Sequence, residues 1–504
     1  MNKLGRLLIV LCVALWVFSA CAPDNEFILP GNNTEQGSDE GKDDGKDDPE
    51  PEPEPPLNND YPDTSWAAGE LDWVFDMSAL PEIRISVTEE QWNTLLEAYD
   101  RNSATAEYIH CDAEFKSKGE THTFEDAGLR LRGNTSRRRP EGNGGEMHKT
   151  DNADWHHCHF MLNLRKYQKD DAHELKNIRK LHLKWHKDDS AYCRELYCYD
   201  LFRRFGIWTA VYSSYCRLWI HIEGDSEPAY YGVYEMLEAI DDKYVKRRKE
   251  LFGDHDHNLW KCRWGATLNY NDIYNSVIHY DDDSDKDYTY ELKSNIENFE
   301  VAKAQLIEFT RNLTQRTGQD FHDWIASVCD VRLLLRTYAV NVAVGMWDDY
   351  WNNCNNFYIY FNSSDKNNYK FFFIPYDYDN TLGTSSHCGV QSDSGRHDPL
   401  SWGDTGRNPL IGKILQYDDY RAIYVEALKE LCDPANQLFD YDSSVARIQL
   451  WHSLIGNYVD NDTEEDCEIK DRPAGWGNLH DYRLLDPSEE WNFFKVKSEV
   501  VSKL

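Results

Sequence analysis

The segment Phe371-Phe-Phe-Ile-Pro-Tyr-Asp377-Tyr-Asp379-Asn-Thr-Leu-Gly383 joins an apolar, β-prone run to two carboxylates at i and i+2. Residues two apart on an extended strand point to the same side. The spacing therefore predicts that Asp377 and Asp379 converge on one hard cation, which prefers oxygen ligands. Upstream, Met346-Trp-Asp348-Asp349-Tyr-Trp-Asn-Asn-Cys-Asn355-Asn356 is a second acidic and amide cluster, and it too runs into a strand, Phe357 to Tyr360. Asn356 offers a neutral oxygen ligand beside the two aspartates. The bland alternative is a pair of solvated turns, where Asp and Asn are common.

A carboxylate, then an Asn, then a strand-end Asp followed by Gly is the chain order of the catalytic and metal-binding loops in kinase-type phosphoryl transfer. Spacing alone does not separate Asp348 from Asp349. Arg130 and Arg132 share one face of a strand, from which they can approach phosphates or simply meet solvent. Trp155-His156-His157-Cys158-His159 lacks the second cluster that a zinc site needs, so a structural or exposed role is expected there. Trp347, Tyr350 and Trp351 are either stacking platforms for a planar ligand or core residues.

Elements must hold these groups in place, and the chain has ample material for them. It has 504 residues, 17 Trp and 31 Tyr, enough for a large core and unlike a disordered chain. The formal charge of −35 argues against a nucleic-acid partner, whose phosphates it would repel. Residues 1–21 read as an export signal, with Lys3 and Arg6 ahead of an apolar run and Phe18-Ser-Ala-Cys21 at its end. This resembles a bacterial lipoprotein signal with the lipid on Cys21, which implies membrane attachment at an outer membrane or cell surface. Residues 22–63, including "GKDDGKDDPEPEPEPP", cannot bury a core and read as an acidic tether. Eleven cysteines follow the signal without a C-x-x-C pair. Some disulfides are compatible with export, and many of these thiols are expected as small buried residues.

Leu80 to Val87 alternates as a strand, and Thr88-Glu-Glu-Gln-Trp signals a helix start. Further strands are expected at 111–115, 129–132, 160–164 and 181–185, with a mobile basic and Gly-rich loop over 137–145. Residues 190–205 read as a helix ending at Gly206. Residues 217–222 and 230–234 read as a hairpin, 237–248 as a helix, and 259–261 with 288–293 as paired strands. From 298 to 346 the pattern is helical with a break near Thr317-Gly318, and helices return at 410–432, 443–458 and 489–504. The class is α+β, with a β-rich first half and a helical second half.

Five blocks in order resemble the CotH (spore coat protein H) family of atypical, secretory-type protein kinases. They are Leu131-Arg132-Gly-Asn-Thr-Ser136; Leu181-His-Leu-Lys184 with Asp189-Ser190 and Arg194-Glu195; Gly232-Val-Tyr-Glu235-Met-Leu-Glu238-Ala-Ile-Asp241; Trp347-Asp348 through Tyr360; and Ile374-Pro-Tyr-Asp377 through Gly383. The resemblance implies an atypical kinase-like fold over 64–390, with a helical region at 391–504 packed on the same domain. It implies ATP with Mg²⁺ or Mn²⁺ as cofactors and Ser/Thr of an exported protein as acceptor. By motif, Asp348 falls at the catalytic Asp, Asn356 at the loop Asn, Asp377 and Asp379 at the metal-binding pair, and Glu235 or Glu238 near the nucleotide. Two departures stand out: Tyr376 where the family commonly has Trp, and Cys158-His159-Phe160 where a basic strand is usual. Lys184, Lys166 or Arg132 are the candidate substitutes for that strand's lysine. The competing readings are a catalytically inactive kinase-like binding or adhesion lipoprotein, and a carbohydrate-active surface protein.

Overall fold

The structure is a computed structural model and describes residues 69–282, 287–384, 393–472 and 480–504. The expected signal, Cys21, the tether and Cys388 lie outside the described residues.

The first half contributes strands β1 (Glu82–Val87), β2 (Ile109–Ser117), β3 (Glu120–Arg132), β4 (His159–Asn163), β5 (Lys180–Lys184), β6 (Ser213–Ile222) and β7 (Ala229–Glu238). With them come helices α1 (Glu70–Val74), α2 (Glu89–Arg101), α3 (Arg194–Arg204), α4 (Asp242–Arg247) and α5 (Lys249–Phe252). The seven strands close into a barrel in the order β1-β2-β3-β4-β5-β7-β6, with a parallel β1–β6 pair as the closing seam. Strand alternation fills its interior: Leu129, Leu131, Phe160, Leu162, Leu181 and Leu183 all belong to one buried cluster. At the start of α2 the Thr88 hydroxyl accepts the Gln91 N–H at 3.2 Å, the expected cap.

The second half contributes β8 (Asn258–Cys262), β9 (Ile278–Tyr280), β10 (Tyr290–Leu292), β11 (Phe357–Phe361) and β12 (Phe371–Pro375), in the order β12-β11-β8-β10-β9. Its helices are α6 (Phe299–Gln315), α7 (Gly318–Val328), α8 (Val331–Ala343), α9 (Tyr350–Asn353), α10 (Pro409–Ile414), α11 (Asp418–Cys432), α12 (Tyr441–Ile455) and α13 (Phe493–Ser502). A second buried cluster joins this sheet to α3, α8 and the helices beyond residue 390. α8 packs along α11, where Arg336 and Glu430 pair at 3.0 Å between guanidinium and carboxylate.

The layout is α+β, β-rich first and helical second, and β8 pairs with β10 as expected, the two strands running antiparallel. Two local expectations change, and the one on the cysteines holds. Residues 237–248 do not form one helix: Leu237 and Glu238 finish β7, and the Asp241 carboxylate then caps α4 by accepting the N–H groups of Lys243 (3.0 Å) and Tyr244 (3.3 Å). The 137–145 segment is anchored. Arg139 is buried and donates to the Asp100 carboxylate at 3.0 and 3.1 Å, while buried Glu141 accepts from the Trp92 indole at 2.7 Å. The ten cysteines among the described residues are all free thiols, and eight are buried.

Candidate functional site

Lys184 ends β5, and Glu195 is the second residue of α3. That helix start is fixed by Asp189, whose carboxylate accepts the N–H groups of Cys193 (3.0 Å) and Arg194 (2.8 Å). So placed, the Lys184 ammonium donates to Glu195 and, at 2.6 Å, to Asp377 Oδ1, with Asp379 Oδ2 at 3.6 Å. Burial disfavours the charged lysine, but Asp377, Glu195 and Asp379 outweigh it and hold its pKa well above the ordinary value.

The two aspartates converge, though not by strand alternation. β12 stops at Pro375, and Asp377 lies in the left-handed region at φ 62°. The turn is held from two sides. The Asp377 N–H donates to the Tyr199 hydroxyl at 2.9 Å, and the Tyr378 hydroxyl donates to Asn341 Oδ1 at 2.8 Å. Glu195, Asp377 and Asp379 each offer a carboxylate oxygen, all within 4.8 Å of one another. Three hard oxygen donors at this spacing fit a divalent cation of the Mg²⁺ or Mn²⁺ type. The pair also titrates apart. Against burial, Lys184 and Arg132 hold Asp377 below the usual carboxylate range, while burial and the charge of Asp377, opposed by Lys184, leave Asp379 well above it.

Asp348 and Asp349 are separated by their partners. Asp349 is buried; it caps α9 by accepting the Asn352 N–H at 2.8 Å and takes the Asn341 amide as well. Burial pushes its carboxyl up to about 7. Asp348 is half-buried and ringed by amides, from Asn353 at 2.6 Å, Asn355 at 3.2 Å and Asn356 at 3.1 Å. Burial, against the Asn353 and Asn355 amides and aided by the charge of Asp377, raises it to about 6. Asn356 Nδ2 is committed to Asp348, so Oδ1 is the atom it would offer a cation.

Arg132, at the end of β3, is buried and donates to the Tyr376 hydroxyl at 2.8 Å. A tryptophan at 376 would have no acceptor for it. Glu235 pairs with Lys184 in the β5–β7 register; burial and the facing Glu195 raise its pKa well above the usual range. Glu238 is not brought to this cluster. It is fully buried and accepts from Arg248 at 2.7 and 2.8 Å and Arg247 at 2.6 Å, so its two oxygens are taken up by guanidinium groups. Lys166 lies over the Tyr108 ring at 4.4 Å, and Cys158 points into the barrel core. His157 and His159 are buried; His157 donates to the Tyr231 carbonyl at 2.8 Å and His159 accepts the Trp185 N–H at 3.1 Å. Trp347, Tyr350 and Trp351 are core residues, each 1% exposed or less.

Glu195 is the residue that sequence reasoning passed over. The signal for it in the sequence is an acid on the first turn of the helix that follows a strand-end lysine.

A lysine on a barrel strand, bridged to a helix acid and to an Asp-x-Asp turn beside an Asp and Asn loop, is a kinase-like arrangement. A family model described as CotH kinase protein matches residues 129–482, and the chain belongs to that family. No curated protein matches the chain.

Proposed function

We propose that this chain is an ATP- and divalent-metal-dependent phosphotransferase acting on Ser or Thr of exported or cell-surface proteins, tethered through a lipid on Cys21. The observation that carries the reading is the contact of Lys184 with Glu195, Asp377 and Asp379, next to Asp348 and Asn356. Asp377, Asp379 and Glu195, with Asn356 Oδ1, would hold Mg²⁺ or Mn²⁺. A bound divalent ion would bridge phosphate oxygens and offset their charge.

Asp348, raised to about 6, is largely ionised at neutral pH and accepts the proton of the acceptor hydroxyl. Its three amide neighbours orient the carboxylate. Lys184, held charged, would offset phosphate charge beside the bound ion and so help align the phosphoryl group with the acceptor hydroxyl. Arg132 adds a second cation beside Asp377. Trp347 and Trp351 are buried, so neither is a platform for a sugar, which weighs against the carbohydrate reading.

The test is a melting curve of the purified chain with millimolar ATP plus Mg²⁺ or Mn²⁺, alongside transfer of labelled γ-phosphate to a casein-type acceptor. A metal-dependent rise in Tm with label on Ser or Thr is expected. No shift and no label would overturn the reading, and a shift without label would leave a nucleotide-binding protein that is not a transferase.

A further inference from the structure

Asn341 is a polar residue set into the apolar end of α8, between Val340 and Val342. Its side chain is fully buried, where an amide is costly unless its polar ends are hydrogen-bonded. Both ends are. Nδ2 donates to the Asp349 carboxylate, and Oδ1 accepts the Tyr378 hydroxyl at 2.8 Å. The backbone takes part as well. Past the end of α8, Gly345 lies in the left-handed region at φ 67°. Its N–H donates to the Val342 carbonyl at 3.2 Å, and the Met346 N–H donates to the Asn341 carbonyl at 3.1 Å. That closure starts the loop that carries Asp348.

The two side-chain partners of Asn341 are chain neighbours of the acids at the site. Tyr378 stands between Asp377 and Asp379. Its ring packs edge-on against Phe202 of α3 at 4.9 Å, while its hydroxyl reaches α8. Asp349 follows Asp348 and anchors the loop: its carbonyl accepts the Asn355 N–H at 3.0 Å, and Asn356 Nδ2 donates to the Asp348 carbonyl at 2.9 Å. In each segment one side chain turns into the core, and the two inward side chains meet at one amide. Asp349, Asn341 and Tyr378 are each 1% exposed or less. Two other bonds join the neighbouring stretches of chain beyond the acids, from the Leu382 N–H to the Val344 carbonyl at 2.7 Å and from the Trp347 indole to the Thr384 hydroxyl at 3.0 Å. The fold therefore does not hang on Asn341 alone, and what the amide sets is the local register of the two acidic segments.

We infer that Asn341 is a positioning residue that joins the Asp348–Asn356 loop to the Asp377–Asp379 turn, so that Asn356 Oδ1 and the two aspartates are already placed for one divalent ion, with Asp348 beside them. Asn341 acts through Asp349 and Tyr378 and holds no ion or phosphate itself. A side chain with a donor and an acceptor at one end of a short stem is what the position requires, because one partner is a carboxylate and the other a hydroxyl. The inference rests on the reading above for the roles of the two segments; that they share one joint rests on the bonds to Asn341.

The test is calorimetric titration of the full chain with manganese chloride without nucleotide, beside steady-state phosphotransfer at saturating metal. Tyr378→Phe removes one hydroxyl and keeps the ring against Phe202, whereas Asn341→Leu removes both side-chain bonds. Tyr244→Phe is the control: this side chain is also fully buried, and its hydroxyl donates to the Thr209 carbonyl at 2.6 Å, in neither segment. Wild type is expected to bind Mn²⁺, and Tyr378→Phe to weaken it about tenfold, as when a residue that orients metal ligands is lost. Its kcat should fall about tenfold with KM for ATP within a few-fold. Asn341→Leu should lose at least as much, and the double variant no more than Asn341→Leu alone, since both cut one connection. Tyr244→Phe should stay close to wild type in both readouts. Should Asn341→Leu fail to fold by circular dichroism, Tyr378→Phe against Tyr244→Phe decides. Mn²⁺ affinity and kcat unchanged in Tyr378→Phe, or lowered equally in Tyr244→Phe, would overturn the joint and leave the transferase reading standing. Mn²⁺ affinity that depends on Tyr378 in a chain that transfers no phosphate would uphold the joint and overturn the transferase. No Mn²⁺ binding by wild type would overturn both.

Discussion

The Lys184 ammonium donates to Asp377 Oδ1 at 2.6 Å across 193 residues of chain, which ties the barrel to the turn beyond β12. It also donates to buried Glu195, so one cation holds together acids from two other segments. Removing it leaves those acids facing one another in low dielectric. Lys184→Met should destabilise the chain by about 3 kcal/mol, as expected when one partner of a buried pair is lost. Added Mg²⁺ or Mn²⁺ should recover more Tm in this variant than in wild type, because three uncompensated carboxylates bind a divalent ion better than a neutralised set. A variant with wild-type Tm and no added metal response would contradict the role assigned to Lys184.

Asp348 and Asp349 should part company on substitution. Asp348→Asn keeps one oxygen for the Asn353 and Asn355 amides and turns its own NH2 toward Asn356; the side chain keeps its size, so nucleotide affinity should stay within a few-fold while phosphotransfer falls by about 10²–10⁴-fold. Asp349→Ala removes a helix cap and the partner of Asn341 and should cost about 1–3 kcal/mol of stability. With Asp348 raised to about 6, the proton-accepting form is lost below that pH and gained above it. Wild-type kcat/KM should therefore rise through about pH 6 and level off by pH 8. A profile flat from pH 5 to 8, or a fully active Asp348→Asn, would count against Asp348 as the base.

Most of the frame was legible in the sequence because its signals are local. Alternation marked the barrel strands, and Thr88 marked the start of α2. The site was legible as residue types, and less so as geometry. Asp377 and Asp379 converge through a left-handed residue at 377, which period-two reasoning does not contain. Glu195 required knowing that α3 starts beside the end of β5, a packing fact that residue types alone do not carry even eleven residues apart. Leu237 and Glu238 look helical beside Asp241–Arg248 because the apolar spacing of a buried strand end and a following helix cannot be told apart by periodicity.

Glu238 was expected near the nucleotide and instead forms a fully buried pair with Arg248, with Arg247 alongside. Both guanidinium groups and the burial of the acid favour a purely structural role. Glu238→Gln should lower stability by about 3 kcal/mol in urea titration. Affinity for ATP, measured well below the transition, should match wild type. A nucleotide affinity reduced more than threefold with stability intact would restore Glu238 to the site.

Lys497 of α13 is fully buried, its ammonium 4.9 Å above the Trp402 ring and without a hydrogen bond among the described residues. Burial pushes its pKa down to about 7, below the ~10.4 of a free lysine. The folded state therefore favours the neutral amine. Its folding advantage is complete above the unfolded pKa and is lost as pH falls from about 10 to about 7, because the unfolded chain binds the proton first. Lys497→Met removes the titration while keeping the volume and the contact with Trp402. The variant should be more stable than wild type by about 2 kcal/mol or more at pH 6, with the gap closing as pH approaches 10. Urea denaturation at pH 6 and pH 9.5 measures it, and a gap that is absent at pH 6, or that widens with pH, would mean that the ammonium finds a counter-charge in the folded chain.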